Sequence, residues 1–93
     1  MRIVFLPASR ADLRWFHRYY TDIFPDGHKR ATDQFDLTLE TLRTNPNIGK
    51  SSEIHQGVRE LPIARTPFMV IYRTTTNRLE ILRILDTRSD WKR

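Results

Sequence analysis

The sequence contains no cysteine, and other residues that mark familiar chemistry are few and scattered. Without cysteine there is no disulfide framework and no thiolate ligand for zinc. None of the three histidines (His17, His28 and His55) pairs with another at helical ligand spacing, so no metal site is predicted. The three glycines are isolated, which excludes a phosphate-binding loop. We therefore expect neither a metal ion nor a cofactor.

Long apolar runs are also missing. No segment approaches the roughly 20 consecutive apolar residues needed to cross a bilayer. The apolar run in residues 2–6 is too short for a signal-peptide core, and no small-residue cleavage site follows it. The 93 residues are consistent with one domain over residues 1–93. We expect this domain to lie in the cytoplasm, with no membrane partner.

Positive charge is concentrated in residues 57–93 of a chain whose net charge is +5. Residues 57–93 hold eight of the 16 Lys and Arg residues but four of the 11 acidic ones, and seven of those eight cations are arginines. The planar guanidinium fork suits phosphate and carboxylate groups. The pattern favours an acidic partner, either nucleic acid or an acidic protein segment. The alternative is an ordinary solvated surface without a target.

The first half predicts a strand followed by a helical hairpin. Residues 2–6 form the strand, and Pro7 closes it. Ser9 and Asp12 have the spacing of a capping box for a helix over residues 10–24. Its apolar stripe comprises Leu13, Phe16, Tyr20, Ile23 and Phe24, widened by Trp15 and Tyr19.

A second helix follows the break at residues 25–27, with Asp26 as its predicted N-cap. Its stripe comprises Ala31, Phe35, Leu39 and Leu42. The helix is expected to end at Asn45, because the residue before a proline is pushed out of the α region. The short connection predicts an antiparallel helical hairpin.

The second half predicts three strands after a loop over residues 47–56. They cover residues 57–63, 68–73 and 79–85, and Pro62 indicates an edge position or an early strand end. The last two strands are apolar on both faces, as central strands covered by helices would be. The predicted fold is α+β, in the order β-α-α-β-β-β, with the hairpin packed on a small, mainly antiparallel sheet.

Two arginines lie on strand faces that are otherwise apolar. Alternation places Arg59 with Leu61 and Ile63, and it places Arg83 with Ile81 and Leu85. An unpaired charge there is costly. In the structural alternative, each arginine pairs with an acid such as Glu60, Glu80 or Asp86, or extends its guanidinium to the rim of the sheet. In the functional alternative, each arginine binds a phosphate or carboxylate ligand on an open face of the sheet.

The last residues, 86–93, place Trp91 among arginines. A tryptophan in that setting can stack on a base or anchor a protein interface. It can equally fold back over the sheet edge.

Five segments in this order resemble the RelE/ParE-type toxins. They are Ala11-Asp12-Leu13, Leu42 with Asn45-Pro46-x-Ile48-Gly49, Gly57-Val58-Arg59-Glu60-Leu61-Pro62-Ile63, Thr66-Pro67-Phe68 with Val70-Ile71-Tyr72-Arg73, and Glu80-Ile81-Leu82-Arg83-Ile84-Leu85. The resemblance implies a toxin of a type II toxin–antitoxin system. It also implies a cognate, ParD-like antitoxin whose extended, partly acidic segment wraps the toxin. Candidates for its contact surface are Trp15, Phe16 and Tyr19, although Phe16 fits the helix–sheet core better.

The resemblance allows two targets. RelE-like members cut mRNA on the ribosome with sheet cations, for which Arg59 and Arg83 are the candidates, and with a C-terminal tyrosine or histidine. Here Asp86 follows Leu85, and no tyrosine or histidine follows Tyr72. This departure favours the ParE-like branch, whose members bind DNA gyrase, block replication and are not enzymes. Its target-binding candidates are Arg59, Arg73, Arg83, Arg88 and Trp91. An inactive, antitoxin-binding module is the third alternative.

Overall fold

The computed structural model describes residues 1–88, and its elements follow the predicted order with one strand added. The strands are β1 (Arg2–Phe5), β2 (Lys50–Ser51), β3 (Val58–Pro62), β4 (Phe68–Thr74) and β5 (Arg78–Asp86). The helices are α1 (Pro7–Arg18) and α2 (His28–Thr44), joined by a π-helical turn, Tyr19–Ile23, and a 3₁₀ turn, Pro25–Gly27. The α+β class is confirmed.

The described strands form one mixed sheet in the order β1-β5-β4-β3-β2. The first strand lies parallel to the last, and every other pair is antiparallel. The prediction of a continuous loop over residues 47–56 was wrong at β2, whose two residues pair with Glu60 and Arg59. A strand of one lysine and one serine has no apolar alternation, so only its pairing with β3 identifies it.

Helix α1 begins three residues earlier than predicted, and the capping box is wrong. Pro7 occupies the first helical turn, where its fixed φ is favourable and its missing N–H costs nothing. The Ser9 hydroxyl lies inside the helix and donates to the Leu6 carbonyl at 2.7 Å. The Asp12 carboxylate binds β5 instead of the helix N-terminus.

The first helix also ends differently from the prediction. The π-helical turn after Arg18 turns Tyr20 into the core and leaves Ile23 and Phe24 exposed. The Phe24 ring covers Gly27, where a β-carbon would come within 2.7 Å of the ring. The prediction of one helical stripe that continues through Ile23 and Phe24 was therefore wrong, because the wider turn changes the helical phase.

Helix α2 ends at Thr44, as the Asn45-Pro46 pair predicts. Its predicted N-cap was wrong: Gly27 holds the cap position, and no side chain caps the helix. Asp26 lies in the preceding 3₁₀ turn instead. The helix packs through Ala31 and Leu42, which are fully buried.

The core lies between the helices and one face of the sheet. Phe16 and Tyr20 from the first helical segment meet Phe68, Val70 and other sheet side chains of that face. Strands β4 and β5 are central, as predicted, but within residues 1–88 the helical members of the core pack on one face rather than both. Among these residues no helix is long and apolar enough to cross a membrane.

A β-bulge in β5 changes which residues share a face. Ile71 lies opposite Arg83 whereas Tyr72 lies opposite Ile81, so Leu82 has no partner on β4. Leu79 and Ile81 face the core before the bulge, and Ile84 faces it afterwards. Arg83 therefore does not share a face with Ile81, because the extra residue shifts the alternation by one.

Candidate functional site

An open groove of about 870 Å³ runs between α1 and α2. Its apolar part is formed by Leu13, Phe16 and Phe35, and the Phe16 and Phe35 rings lie 5.3 Å apart. The remaining lining residues are polar or charged: Arg10, Arg14, His17, Arg18, Thr21, Asp22 and Thr32. The groove thus combines an apolar floor with a mainly basic wall.

Three arginines form that wall because they recur every fourth residue on α1. Arg10, Arg14 and Arg18 lie on one helical face, where like charges four residues apart repel by a few tenths of a kcal/mol per pair. Arg10 donates to the Phe5 carbonyl at 3.0 Å, and Arg18 lies over the Trp15 ring at 5.9 Å. In the described part of the chain Arg14 is exposed and has no hydrogen-bond or ion-pair partner. Its charge is available to an acidic ligand.

The proposed antitoxin-binding aromatics lie elsewhere on the same helix. Trp15 is 42% exposed and contacts the Tyr19 ring edge-on, and Tyr19 packs on Phe68. On a helix of 3.6 residues per turn, this pair and the groove arginines flank the buried stripe on opposite sides. Phe16 belongs to the buried core and also reaches the groove floor. The first helix therefore offers two distinct flanks to a partner.

Arg59 belongs to a network of hydrogen bonds with the chain segment that follows α2. Its guanidinium donates to the Gly49 carbonyl at 2.7 Å and to the Asn47 carbonyl at 3.2 Å. Beside it the buried Tyr72 hydroxyl accepts from the Gly49 N–H and donates to the Pro46 carbonyl, each at 2.8 Å. Burial raises the pKa of Tyr72, so the hydroxyl stays protonated. The Arg59 guanidinium is thus engaged by backbone carbonyls rather than by an acid.

Arg83 pairs with Asp12, an acid that lies 71 residues away in the sequence. Two guanidinium N–H groups donate to the two Asp12 carboxylate oxygens at 2.7 and 3.0 Å. The same carboxylate accepts the Ile84 backbone N–H at 2.9 Å. Because β1 pairs with β5 only as far as Ile81, Asp12 supplies an acceptor to a strand edge that β1 no longer covers.

Arg73 and Arg78 share the carboxylate of Glu80 on the sheet face that lies away from the helices. Arg73 donates to one oxygen at 2.7 Å, and Arg78 donates to the other. The glutamate side chain is only 5% exposed, whereas the two arginine side chains are 49% and 40% exposed. Hydrogen bonding by Arg73 holds the pKa of Glu80 below its usual range despite this burial. The carboxylate therefore stays charged at neutral pH.

Asp86 and Arg88 form a local pair at the end of β5. The Arg88 side chain donates to both carboxylate oxygens, and its backbone N–H donates to one of them. These bonds lower the pKa of Asp86 to about 2. A carboxylate that holds a proton this weakly is a poor general acid or base near neutral pH. Trp91 lies outside the described residues.

Sequence reasoning named Arg59, Arg73, Arg83 and Arg88 but missed the partners that position them. It also missed the arginine stripe of α1, although the four-residue spacing of Arg10, Arg14 and Arg18 was a readable signal. Glu80 and Asp86 were among the acids expected to pair with Arg59 or Arg83, but they pair with Arg73, Arg78 and Arg88. Among residues 1–88 no three acidic or histidine side chains cluster as a metal site would require.

The mixed sheet with two helices on one face, and a basic groove between those helices, defines a small α+β domain. It is similar to a chain of the chromosomal ParDE TA system from P. aeruginosa, with 29% identity, a TM-score of 0.70, and coverage of 90% of this chain and 92% of that chain. It also shares its fold with the YoeB dimer from Staphylococcus aureus, at 18% identity, a TM-score of 0.65, and coverage of 89% and 92%. No curated protein matches the sequence. Residues 3–91 match the model of the ParE toxin of the type II toxin–antitoxin system parDE, so the chain belongs to the ParE toxin family.

Proposed function

We propose that this ParE-type toxin inhibits DNA gyrase and blocks replication by binding rather than by catalysis. The observation that carries the proposal is the engagement of the two arginines that a nuclease would need. Arg59 is bonded to backbone carbonyls, and Arg83 is bonded to Asp12. A guanidinium that already makes two hydrogen bonds within the protein is poorly available to a phosphate in a transition state.

The acid/base side of the chemistry supports the same proposal. The residue after Leu85 is Asp86, whose two oxygens are bonded to Arg88 and whose pKa is about 2. Cleavage of RNA needs a base for the ribose hydroxyl and an acid for the leaving oxygen. This carboxylate suits neither task at neutral pH.

A ribosome-dependent endoribonuclease is the second candidate. The fold similarity to the YoeB dimer places the chain in the same structural class, although 18% identity carries no activity with it. Partly exposed sheet arginines such as Arg73 could contact an RNA phosphate. An inactive module that only binds the antitoxin is the remaining alternative.

Two pulse-labelling time courses after induction of the toxin alone separate these functions. One follows a DNA precursor and the other follows an amino acid. The gyrase proposal expects DNA synthesis to stop first, with double-strand breaks, and purified toxin to inhibit supercoiling by gyrase. If protein synthesis stops first and mRNAs are cut, the proposal is wrong and the nuclease is right. Unchanged growth at a confirmed level of folded toxin would support the inactive module.

We also propose that the cognate antitoxin inserts an acidic, amphipathic segment into the groove between α1 and α2. The apolar floor around Leu13 and Phe35 suits the apolar side of such a segment. The unpaired Arg14 suits its acidic side, because complementary charge steers and orients association.

Charge reversal tests this placement. Arg14→Glu is expected to weaken antitoxin binding about tenfold, or about 1.4 kcal/mol. Arg30→Glu is the matched control, since Arg30 is an exposed arginine of α2 that does not line this groove. Equal losses in the two variants would show a general charge effect instead. If Trp15→Ala weakens binding and Arg14→Glu does not, the antitoxin uses the opposite flank of α1.

A further inference from the structure

The sheet gathers three arginines at one end of the face that lies away from the helices. Arg2 lies beside Arg78 in the parallel register of β1 and β5, and Arg73 lies opposite Glu80 in the register of β4 and β5. Alternate residues of a strand share a face, so Arg78 and Glu80 point to the same side. Residues on the other side, such as Leu79, face the core. The four charged side chains therefore form one cluster.

Glu80 orients two of the three arginines. Each of its oxygens accepts from one guanidinium, and its burial fixes where those bonds point. A guanidinium has five N–H donors. Within residues 1–88 the Arg73 and Arg78 side chains donate hydrogen bonds to Glu80 alone, and both side chains remain partly exposed. Their other donors consequently face solvent from a fixed position.

The cluster carries more positive charge than its glutamate requires. One arginine neutralises one carboxylate, so the three arginines and Glu80 together leave two positive charges in excess. Arg2 is exposed and has no hydrogen-bond or ion-pair partner in the described part of the chain. The bonds to Glu80 therefore account for the positions of Arg73 and Arg78, but they account neither for Arg2 nor for the excess positive charge.

We propose that Arg2, Arg73 and Arg78 form a phosphate clamp that binds the backbone of duplex DNA. Forked guanidinium groups that are held in place match phosphate oxygens well, and an orienting carboxylate lowers the entropy lost on binding. The contact reads no base sequence, because phosphate contacts position a protein on DNA without specifying the sequence. In the presence of gyrase this clamp would let the toxin hold the DNA of the complex. The choice of duplex DNA rests on the gyrase proposal, whereas the phosphate contact rests on the arginine cluster alone.

The test is the salt dependence of binding to a fluorescent 20-base-pair duplex of random sequence, measured by anisotropy with the purified toxin. Each phosphate contact contributes about −0.9 to the slope of log Kobs against log salt. Arg2→Gln removes a cation that does not touch Glu80, so the fold should be retained. We expect the slope to become shallower by about 0.9 and the affinity in 0.1 M salt to fall about eightfold.

Two further variants distinguish phosphate binding by the clamp from general electrostatic attraction between a basic protein and DNA. Arg30→Gln removes the same charge from α2, which packs on the opposite face of the sheet from the cluster, and should leave the slope unchanged. The double variant Arg73→Lys with Arg78→Lys keeps both positive charges and a partner for Glu80, but it removes the two forked guanidinium groups. It should bind several-fold more weakly than the unaltered toxin, with an unchanged thermal melt.

Three results would overturn the proposal. The first is an equal effect of Arg2→Gln and Arg30→Gln, which would indicate diffuse attraction to a basic protein. The second is full affinity in the double lysine variant. The third is tighter binding to single-stranded RNA of equal length, which would assign the cluster to RNA. None of these measurements contains gyrase, so their failure leaves the supercoiling assay as an independent test of the proposed function.

Discussion

Replacing Asp12 is expected to damage the fold more than replacing its partner Arg83. The Asp12 carboxylate makes three hydrogen bonds, two from the Arg83 guanidinium and one from the Ile84 backbone N–H. Asp12→Ala removes all three. Arg83→Ala leaves the carboxylate bonded to the Ile84 N–H, so the strand edge keeps its acceptor.

The two losses differ in size because the two kinds of bond differ in exposure. The Arg83 side chain is 45% exposed, and solvent screening reduces such an ion pair to about 0.5–1 kcal/mol. The Ile84 N–H belongs to a buried residue, and an orphaned buried donor costs about 1–3 kcal/mol. The higher helix propensity of alanine returns about 0.5 kcal/mol. Asp12→Ala should therefore cost about 1–3.5 kcal/mol, and Arg83→Ala about 0.5–1 kcal/mol.

Thermal and urea unfolding of the two variants test this reasoning. In a domain of this size 1 kcal/mol shifts Tm by roughly 4–8 °C, so the variants should differ clearly. Asp12→Asn should lie between them, since its amide oxygen can still accept the Ile84 N–H. Equal destabilisation by Asp12→Ala and Arg83→Ala would refute the role assigned to the backbone bond. Loss of toxicity in a fully stable Arg83→Ala variant would instead revive the catalytic interpretation of this arginine.

Three further predictions concern the Tyr72 hydroxyl, the two positions with positive φ and the Asp86–Arg88 pair. Tyr72→Phe should cost about 1–3 kcal/mol in urea unfolding, because the Gly49 N–H loses its buried partner; an unchanged midpoint would contradict this. Gly57→Ala should lower the free energy of unfolding by about 1 kcal/mol, because alanine is strained at a φ of 79° although nothing lies within 4 Å of the added β-carbon. Arg65 also has a positive φ, of 62°, so Arg65→Gly should be neutral or stabilising. In the folded protein Arg88 lowers the pKa of the Asp86 carboxyl to about 2, against about 3.9 in the unfolded chain. The pair therefore stabilises the fold fully above about pH 3.9, and this stabilisation is lost as the pH falls towards about 2. The stability difference between the unaltered protein and Asp86→Asn should accordingly shrink over this pH range, and a difference that grows in acid would exclude the pair as its cause.

The sequence alone determined the parts of this protein that depend on local preferences. Helical spacing predicts both helices, and the Asn45-Pro46 pair predicts the end of α2 because its geometry is restricted within two residues. The apolar runs predict β4 and β5 and their central place in the sheet. The toxin family can also be identified from the sequence, because the five short segments that resemble it occur in order along most of the chain. The excess of arginine over acid in the second half is visible without any structure.

The tertiary structure decided which of those arginines remain available to a partner. Arg59 is engaged by Gly49 and Asn47, and Arg83 is engaged by Asp12 from the far end of the chain. The bulge at Leu82 changes the faces of the residues after it, and strict alternation along β5 cannot anticipate that one-residue shift. Arg2 meets Arg78 only because β1 lies parallel to β5. Contacts of this kind depend on the register between distant strands, which the packing of the whole domain sets and which no local sequence period records.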